Sequence, residues 1–444
     1  MFTSYLPRTL AGALLLSSAA TAHAATLLVT TTADSYDGRC NLHCSLRDAV
    51  QVANQTAGPS TILLPPGSYR LTRPALLDSE GDPIQDQDNQ IGDLDVLGEL
   101  RIRGLSTTTS RIKGSIELNH RLFEVLANAK LTLESLTFEG GDDIRYYNGG
   151  VANHGQLRLR KVFALRNRVG SNGGAIANYG DLRVEDSRFQ ENTASGGFLT
   201  GKGGAIFNSG SLLVRGSNFY LNGAYNFSDE GEGSGIYNSG TATVESSTFH
   251  RNYNDSESEG GTITNDGGTL VLSNSTLSRN NTALTNGHES SATSSKATLT
   301  NVTITLNQDF PMGKDAVENW GELLIRNSII AGNQDDNGEL TNCTNLGGNY
   351  SYQAIGLLRN DEASNCGADL FVPLEQTFSQ VLSPTLSKPS DTLWFHALLP
   401  SSPAIDAGIG DCIAKDQRGV NRPQDGNGDG VAVCDLGAYE LTAR

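Results

Sequence analysis

The sequence is short of apolar residues, of basic residues and of long apolar runs, and each shortage excludes a class of protein. Hydrophobic residues make up 37% of the 444 positions, which is low for a globular protein but too high for a disordered chain. The 32 lysines and arginines are outnumbered by 49 aspartates and glutamates, which argues against nucleic acid and anionic lipid as partners. Beyond residue 24 no apolar run is long enough to cross a bilayer, so we expect no transmembrane anchor.

Familiar catalytic motifs are missing as well. The seven histidines are scattered, and no Ser-His-Asp pattern stands out. The pair His288-Glu289 lacks the second histidine of an H-E-x-x-H zinc motif. Any function therefore has to be sought in how repeated residues are arranged.

The first 24 residues (1–24) have the pattern of a signal peptide. Arg8 precedes an apolar run over residues 10–20, and residues 22–24 form an A-x-A cleavage site. We therefore expect a secreted protein. Six cysteines in an exported chain predict disulfides, and their clustering makes Cys40–Cys44, Cys343–Cys366 and Cys412–Cys434 the simplest set.

A repeat with steps of 25 to 30 residues fills the middle of the chain. The stretches SNGGAIANYGDLRVEDSRFQEN, GKGGAIFNSGSLLVRGSNFYLN and GEGSGIYNSGTATVESSTFHRN share G-G-A-I-x-N-x-G, then alternating apolar residues, then S-x-F-x-x-N. Each contains three short strand-like pieces, and none has a helical period. Three strands per repeat of this length predict an all-β fold, a parallel β-helix whose coils stack at the ordinary strand spacing of about 4.8 Å.

Recurrent residues have structural explanations in such a fold. Asparagines at equivalent turns tolerate a left-handed backbone and can hydrogen-bond the next coil, although ligand binding is the alternative. One such row is Asn167, Asn192, Asn222, Asn252, Asn280, Asn307 and Asn333, and a second is Asn153, Asn178, Asn208, Asn238, Asn265 and Asn319, with a gap expected near residue 292. An interior stack is predicted for Phe189, Phe219, Phe249, Leu277, Ile304 and Ile330.

The stretch CNLHCSLRDAVQVAN at 40–54 predicts a short helix that caps the open end of the β-helix. Ser45 is a good N-cap, with Asp48 completing a near capping box, and Gly58-Pro59 would end the helix. The residues expected to face the first coil are Leu46, Ala49, Val50 and Ala53. The segment 60–72 would then provide the first strands.

These residues resemble known bacterial families. CSLRDAVQVAN resembles the CSLREA domain, with Asp48 in place of Glu and Val50 in place of the frequent Ile. The GGAI repeats resemble those of polymorphic outer-membrane proteins and right-handed parallel β-helix proteins. SPAIDAG (402–408), DQRGVNRP (416–423) and CDLGAYE (434–440) resemble the choice-of-anchor Q segment, although the sequence stops at ELTAR without a sorting signal.

Together the resemblances cover most of the chain and imply a secreted or cell-surface bacterial protein with a right-handed β-helix. They imply no single activity, because they include adhesin-like proteins and polysaccharide-acting enzymes. The resulting organisation is a signal peptide at 1–24, an N-terminal cap with the first coils at 25–100, β-helix repeats at 101–340 and a disulfide-tied C-terminal segment at 341–444.

Three insertions precede the GGAI strands and predict a row of acidic and aromatic side chains on successive coils. Aromatic faces stack on sugar rings, and carboxylates bind sugar hydroxyls. The candidate glycan-binding residues are Asp142, Asp143, Arg145, Tyr147, Tyr225, Asp229, Glu230, Tyr253, Asp255 and Glu257. A solvated acidic loop row is the competing interpretation.

The acidic turn QDGNGDGVAVCD resembles the first half of a calcium loop. Asp425, Asn427 and Asp429 offer oxygen atoms at alternate positions, but Leu436 stands where such a loop has its final Glu. Asp435 is next to it and could supply the carboxylate. The expected cofactor is calcium, with a plain acidic turn as the alternative.

Taken together, the sequence favours a glycan-binding or adhesin-like protein, secreted or on the cell surface, whose partner is a polysaccharide or cell-surface glycan. The second hypothesis is an extracellular polysaccharide lyase or glycoside hydrolase of pectate-lyase-like type, for which no catalytic residue can be named. The third is a structural envelope protein.

Overall fold

The computed structural model describes residues 24–442, apart from 77–78, 80–83, 85–86, 116–117, 119, 144–148, 196–199, 226–230, 255–259, 289–293, 309–313, 349 and 361–363. The expected signal peptide thus lies outside the described residues, except for Ala24.

The chain winds into a right-handed parallel β-helix, which confirms the fold expected from the repeat. All strand pairs between coils are parallel within the named strands, and equivalent residues stand opposite each other, as with Leu157, Leu182 and Leu212. Each coil contributes a strand to each of three faces. In-register stacking follows from the repeat, because a shift by one residue would turn the apolar side chains outward.

The first face consists of Ala25–Leu28, Ser60–Leu64, Glu99–Gly104, Lys130–Glu134, Gln156–Arg160, Asp181–Glu185, Ser211–Arg215, Thr241–Glu245, Thr269–Ser273, Lys296–Thr300 and the first halves of Glu322–Ile330 and Tyr352–Arg359. The second face consists of Gly67–Leu71, Ser110–Gly114, Thr137–Glu139, Phe163–Leu165, Arg188–Gln190, Asn218–Tyr220, Thr248–His250, Thr276–Ser278, Thr303–Thr305, the second halves of those two long strands, and Leu370–Phe371.

The third face consists of Leu94–Val96, Phe123–Val125, Val151–Asn153, Ile176–Asn178, Ile206–Asn208, Ile236–Asn238, Ile263–Asn265, Leu284–Asn286, Val317–Asn319 and Cys343–Asn345. A narrow side sheet lies between the second and third faces and consists of Asp142–Asp143, Arg168–Val169, Thr193–Ser195, Gly223–Tyr225 and Tyr253–Asn254. Strand stacking therefore continues past residue 340.

The interior is a thin stack of apolar side chains, as predicted. In the strand Asp181–Glu185, Leu182 and Val184 are fully buried. The rings of Phe189 and Phe219 stack at 4.8 Å, and those of Phe219 and Phe249 at 4.5 Å. A repeat of stacked neighbours explains how a chain with so few apolar residues builds a core.

Both asparagine rows form buried hydrogen-bonded ladders. In the first, each amide Nδ2 donates to the Oδ1 of the next row member, at 2.9 to 3.0 Å between Asn167 and Asn333. The row runs on through Asn342 to Asn360, which the sequence did not reveal. Between Asn167 and Asn333, the left-handed backbone falls on the residue before each asparagine, such as Glu191 with φ 54°, and not on the asparagine itself.

The second ladder corrects one expectation. It has no gap near residue 292, because Asn286 accepts from Asn265 and donates to Asn319, both at 2.7 Å. Asn286 escaped notice because Gly287 follows it at once and a longer loop separates it from the next strand. The ladder ends at Asn345.

The N-terminal cap is confirmed. The helix Leu46–Gln55 begins at Ser45, whose side chain accepts from the Asp48 backbone N–H in a full capping box. Its apolar face, formed by the four predicted residues, is buried. Arg47 is buried too, because its guanidinium pairs with Asp34 at 2.8 Å and donates to backbone carbonyls around Gly92. One expectation was incomplete, since the strand Ala25–Leu28 precedes the helix and pairs with Ser60–Leu64.

The C-terminal segment turns back after Leu370–Phe371 and covers part of the second face. It contains the short helix Leu374–Gln376, a π-helical turn at Thr377–Val381 and irregular chain. Gln417 bonds to Thr276 and Trp394 bonds to Thr248, each at 2.6 Å, although these partners lie more than 140 residues apart in sequence. All three predicted disulfides are present, and the described residues contain no free cysteine.

Within the described residues, no helix is long and apolar enough to span a bilayer.

Candidate functional site on the third face

The outer surface of the third face carries four polar side chains in mutual contact, which we call the third-face cluster: Lys202, Glu232, Tyr237 and Asp266. Lys202 and Glu232 occupy equivalent positions just before two third-face strands and form a parallel bridge. Tyr237 is the central residue of Ile236–Asn238, and since its two neighbours point inward, its side chain points outward. The repeat thus brings residues from three coils together.

The contacts within the cluster are close. The Nζ of Lys202 donates to the hydroxyl of Tyr237 at 3.0 Å and lies 3.5 Å from Oε1 of Glu232. The Tyr237 hydroxyl donates in turn to Oδ2 of Asp266 at 3.0 Å. The side chains of Lys202 and Glu232 are 28% and 19% exposed, so a ligand can reach them. Oδ1 of Asp266 is buried and has no hydrogen-bond partner within the described part of the chain.

Burial shifts the protonation of two members. It raises the pKa of Glu232, and the carboxylate of Asp266 raises it further, against the opposing charge of Lys202. Burial also raises the pKa of Tyr237, and the nearby carboxylates of Glu232 and Asp266 act in the same direction. Tyr237 therefore stays a neutral hydroxyl, while Glu232 holds a proton more readily than an ordinary glutamate. The cluster combines a cation, a hydroxyl donor and two carboxyl groups, and Glu232 is the one with a raised pKa.

An aromatic row leads along the third face to the cluster. His154 stacks on Tyr179 at 4.9 Å, Tyr179 lies 5.8 Å from Phe207, and Phe207 stacks on Tyr237 at 5.5 Å between ring centroids. The row ends at His154, and its two exposed rings are His154 and Tyr179. The row runs along the β-helix axis over four coils, but the rings of Phe207 and Tyr237 are buried.

An acidic group marks the other end of the row. Asp93, Asp95 and Glu124 have ligand atoms within 4.8 Å of one another, the spacing a metal ion would need. However, the guanidinium of Arg121 already donates to Asp93 at 2.5 Å and to Glu124. Burial would raise the pKa of Asp93, but Arg121 and the neighbouring His120 outweigh it and hold this pKa well below its usual range. The positive charge that these carboxylates require is therefore supplied by the protein.

Of the predicted glycan-binding residues, four lie on the side sheet next to the third face. Asp142 is partly buried, burial raises its pKa, and its Oδ1 has no hydrogen-bond partner in the described structure. Asp143 follows it on the same strand. Tyr225 and Tyr253 stack on each other at 6.4 Å and lie three to four strands away from Asp142. The other six lie outside the described residues: Arg145, Tyr147, Asp229, Glu230, Asp255 and Glu257.

The chain connections correct the predicted row, because the strand Asp142–Asp143 lies three strands from Gly223–Tyr225, and only the second and third insertions leave adjacent strands. Each insertion leaves the side sheet and returns at the start of a third-face strand, as after Tyr225 and before Glu232. The described ends of the second insertion thus lead from Tyr225 on the side sheet to Glu232 of the third-face cluster. Whether their side chains bind a glycan stays a prediction.

The acidic turn is closed by its own side chains. Asp425 accepts from the backbone N–H groups of Gly428, Asp429 and Gly430, and Asn427 accepts from Asp429 at 2.8 Å. Such local bonds order the loop: Oδ1 of Asp425 accepts two of them, while Oδ2 of Asp425 and Oδ1 of Asn427 accept one each. Calcium at this turn stays a prediction.

Asp435 is held differently from the other three proposed ligands. It is fully buried, and its two oxygens accept the backbone N–H groups of Asp406 and Leu441. Burial raises its pKa to about 7. Together with the buried Arg422–Glu440 pair at 3.2 Å, these contacts connect separate parts of the C-terminal segment.

Sequence reasoning did not predict the third-face cluster. The available signal was the variation at two positions of the repeat. The position between Ile and Asn is Ala177, Phe207 or Tyr237. The residue before the first glycine is Asn172, Lys202 or Glu232. Variation at a fixed slot of a repeat identifies an outward position, because inward slots are held constant by packing.

The comparisons with known proteins are sparse. No protein-family model matches the chain, and no curated protein does. Among solved structures, the chain is similar to the pectate lyase Pel9A, at 14% identity and a TM-score of 0.47, over 95% of this chain and 97% of that one. It is also similar to the catalytic unit of a thermostable GH87 α-1,3-glucanase from Streptomyces thermodiastaticus strain HF3-3, at 15% identity and a TM-score of 0.31, over 74% of this chain and 66% of that one. A third similar structure is that of the PL6 family alginate lyase AlyGC, at 12% identity and a TM-score of 0.35, over 84% of this chain and 55% of that one.

Proposed function

We propose that the protein is an exported β-helix protein of the CSLREA and choice-of-anchor Q type that binds a polysaccharide along its third face, with the third-face cluster as the main contact. The observation that carries the proposal is the convergence of Lys202, Glu232, Tyr237 and Asp266 on a partly exposed surface. Hydroxyl and carboxyl groups bind sugar hydroxyls, and a lysine binds the carboxylate of an acidic sugar. An extended polymer lying along the axis would also contact the aromatic row.

The binding test uses the mature chain and a panel of neutral and acidic polysaccharides in affinity electrophoresis. We expect retardation by at least one polysaccharide, with Lys202→Gln and Glu232→Gln each weakening it about tenfold. Lys296→Gln is the matched control, because Lys296 is an exposed lysine paired with Glu322 on the first face. Equal retardation of all variants would place binding elsewhere, and no retardation by any polysaccharide would refute the proposal.

A second candidate function is cleavage of the bound polysaccharide. The specific observation in its favour is that the cluster holds two carboxyl groups, of which Glu232 has a raised pKa, since glycosidases use one protonated and one ionised carboxyl group. Glu232 would donate a proton to the glycosidic oxygen, and Asp266 would act as the second carboxylate. Lys202 would hold a substrate carboxylate.

Cleavage is distinguished from binding by its products. New reducing ends would report hydrolysis, whereas ultraviolet absorbance of an unsaturated sugar would report elimination by a lyase. Glu232→Gln should abolish either signal. A polysaccharide that binds in the first experiment but yields neither product on long incubation with the mature protein would leave binding as the function.

A further inference from the structure

A separate pocket lies on the second face, at the point where the C-terminal segment stops covering it. We call it the second-face pocket; it has a volume of about 340 Å³ and is lined by Thr107, Arg111, Thr137, Phe163, Arg188 and Asp391, among others. Arg111, Thr137, Phe163 and Arg188 stand opposite one another on four successive coils. Three strand spacings of about 4.8 Å separate the backbones of the two arginines by roughly 14 Å.

The pocket is positively charged in an acidic protein. Arg111, Lys161 and Arg188 line it, against Asp186 and Asp391. The side chain of Asp391 is 91% exposed and its Oδ1 lies 4.0 Å from Nη1 of Arg188, so it neutralises that arginine poorly. Arg111 is paired with Glu139.

Both arginines keep an unused donor. The Nε of Arg111 and the Nε of Arg188 are buried and have no hydrogen-bond partner among the described residues. A buried N–H on a charged group that lacks a partner is costly, so a partner from outside the chain would be bound favourably. Two such donors in one cavity point to an anionic ligand.

Aromatic rings fix the orientation of Arg188. Its guanidinium carbon lies 5.2 Å from the centroid of Phe163 and 5.8 Å from those of Tyr220 and Trp394. Rings over the faces of a planar guanidinium leave its edge free for hydrogen bonds in the plane. A carboxylate matches that edge, because it accepts two parallel N–H bonds.

We propose that the second-face pocket binds an acidic sugar residue, with its carboxylate on Arg188 and its ring against Phe163 and the threonine hydroxyls. The pocket is much larger than an inorganic anion, and the hydroxyls of Thr107 and Thr108 suit a polyhydroxylated ring better than a bare ion. This site lies on another face from the third-face cluster and does not depend on it.

The test is isothermal titration of the mature protein with D-galacturonate and D-glucuronate, beside D-galactose, acetate and sodium sulfate. We expect a saturable uronate signal that Arg188→Met and Arg111→Met each reduce at least tenfold. Arg188→Lys should also reduce it, because lysine keeps the charge but loses the planar pair of donors. Arg215→Met is the matched control, since Arg215 forms an exposed ion pair with Glu245 on the first face.

Each outcome decides the proposal. Loss of uronate binding in the pocket variants alone supports it, provided that their melting matches that of the wild type. If Arg188→Met fails to fold, Arg111→Met at the other end of the pocket gives the answer. Galactose or sulfate binding as tightly as uronate, unchanged binding in both variants, or no binding by any probe would overturn it.

Discussion

Two asparagines in one coil allow the ladder to be tested against burial alone. Asn218 and Asn222 are both fully buried, and only four positions separate them. The side chain of Asn222 makes four hydrogen bonds: its Oδ1 accepts from the backbone and side chain of Asn192, and its Nδ2 donates to Phe189 O and to Asn252 Oδ1. Neither amide atom of Asn218 has a partner in the described structure.

The expected magnitudes follow from these contacts. Each buried hydrogen bond contributes about 1 kcal/mol net, so Asn222→Ala should lower the free energy of unfolding by about 4 kcal/mol. Asn218→Ala leaves a small cavity, which costs about 1–2 kcal/mol, but it also removes two unsatisfied polar atoms that cost a similar amount. Its net effect should be close to zero. The difference between the two variants is therefore about 4 kcal/mol.

Urea unfolding followed by circular dichroism measures this difference. Because stacked coils need not unfold in one step, both variants are compared through the midpoint of the same transition. The midpoint should fall for Asn222→Ala and stay near that of the wild type for Asn218→Ala. Equal losses in the two variants would show that burial of an amide, and not the ladder, sets the stability.

Three further predictions concern the ends of the fold. Arg47→Met should cost about 3–5 kcal/mol by leaving the Asp34 carboxylate buried without its partner, so that limited proteolysis cuts the first coils earlier; an unchanged digest would contradict the buried pair. Burial lowers the pKa of His396 from 6.5 to about 4, so its stabilising effect is complete above pH 6.5 and is lost as the pH falls towards 4. Between pH 6.5 and pH 4, the free energy of unfolding should therefore fall by about 3 kcal/mol less for His396→Gln than for the wild type, as melting experiments would measure. Parallel pH profiles of the two proteins would refute this. Calcium at about 10 mM should stabilise one melting step by about 2.7 kcal/mol if the dissociation constant is about 0.1 mM, and Asp425→Ala with Asp429→Ala should abolish this gain. Identical melting of both proteins with and without calcium would leave only an acidic turn.

The amount that the sequence could predict differs between the inside and the outside of the coil. Inward positions recur with the repeat, because each must match its neighbours above and below. For this reason the sequence predicted the Phe189 row and the ladder that contains Asn222. The one error in the ladders, at Asn286, arose where a long loop changes the local spacing. Outward positions carry no such constraint, and the third-face cluster was missed for that reason.

The sequence by itself determined the parallel β-helix, the capping helix at Leu46–Gln55 and the three local disulfides, because each depends on spacing within about 30 residues. Only the tertiary structure decided that Lys202 contacts Tyr237, and that Gln417 lies against Thr276. The first contact depends on which outward side chains the winding places on adjacent coils. The second depends on a return of the chain over more than 140 residues, and no local propensity encodes where that segment stops and leaves the pocket at Arg188 open.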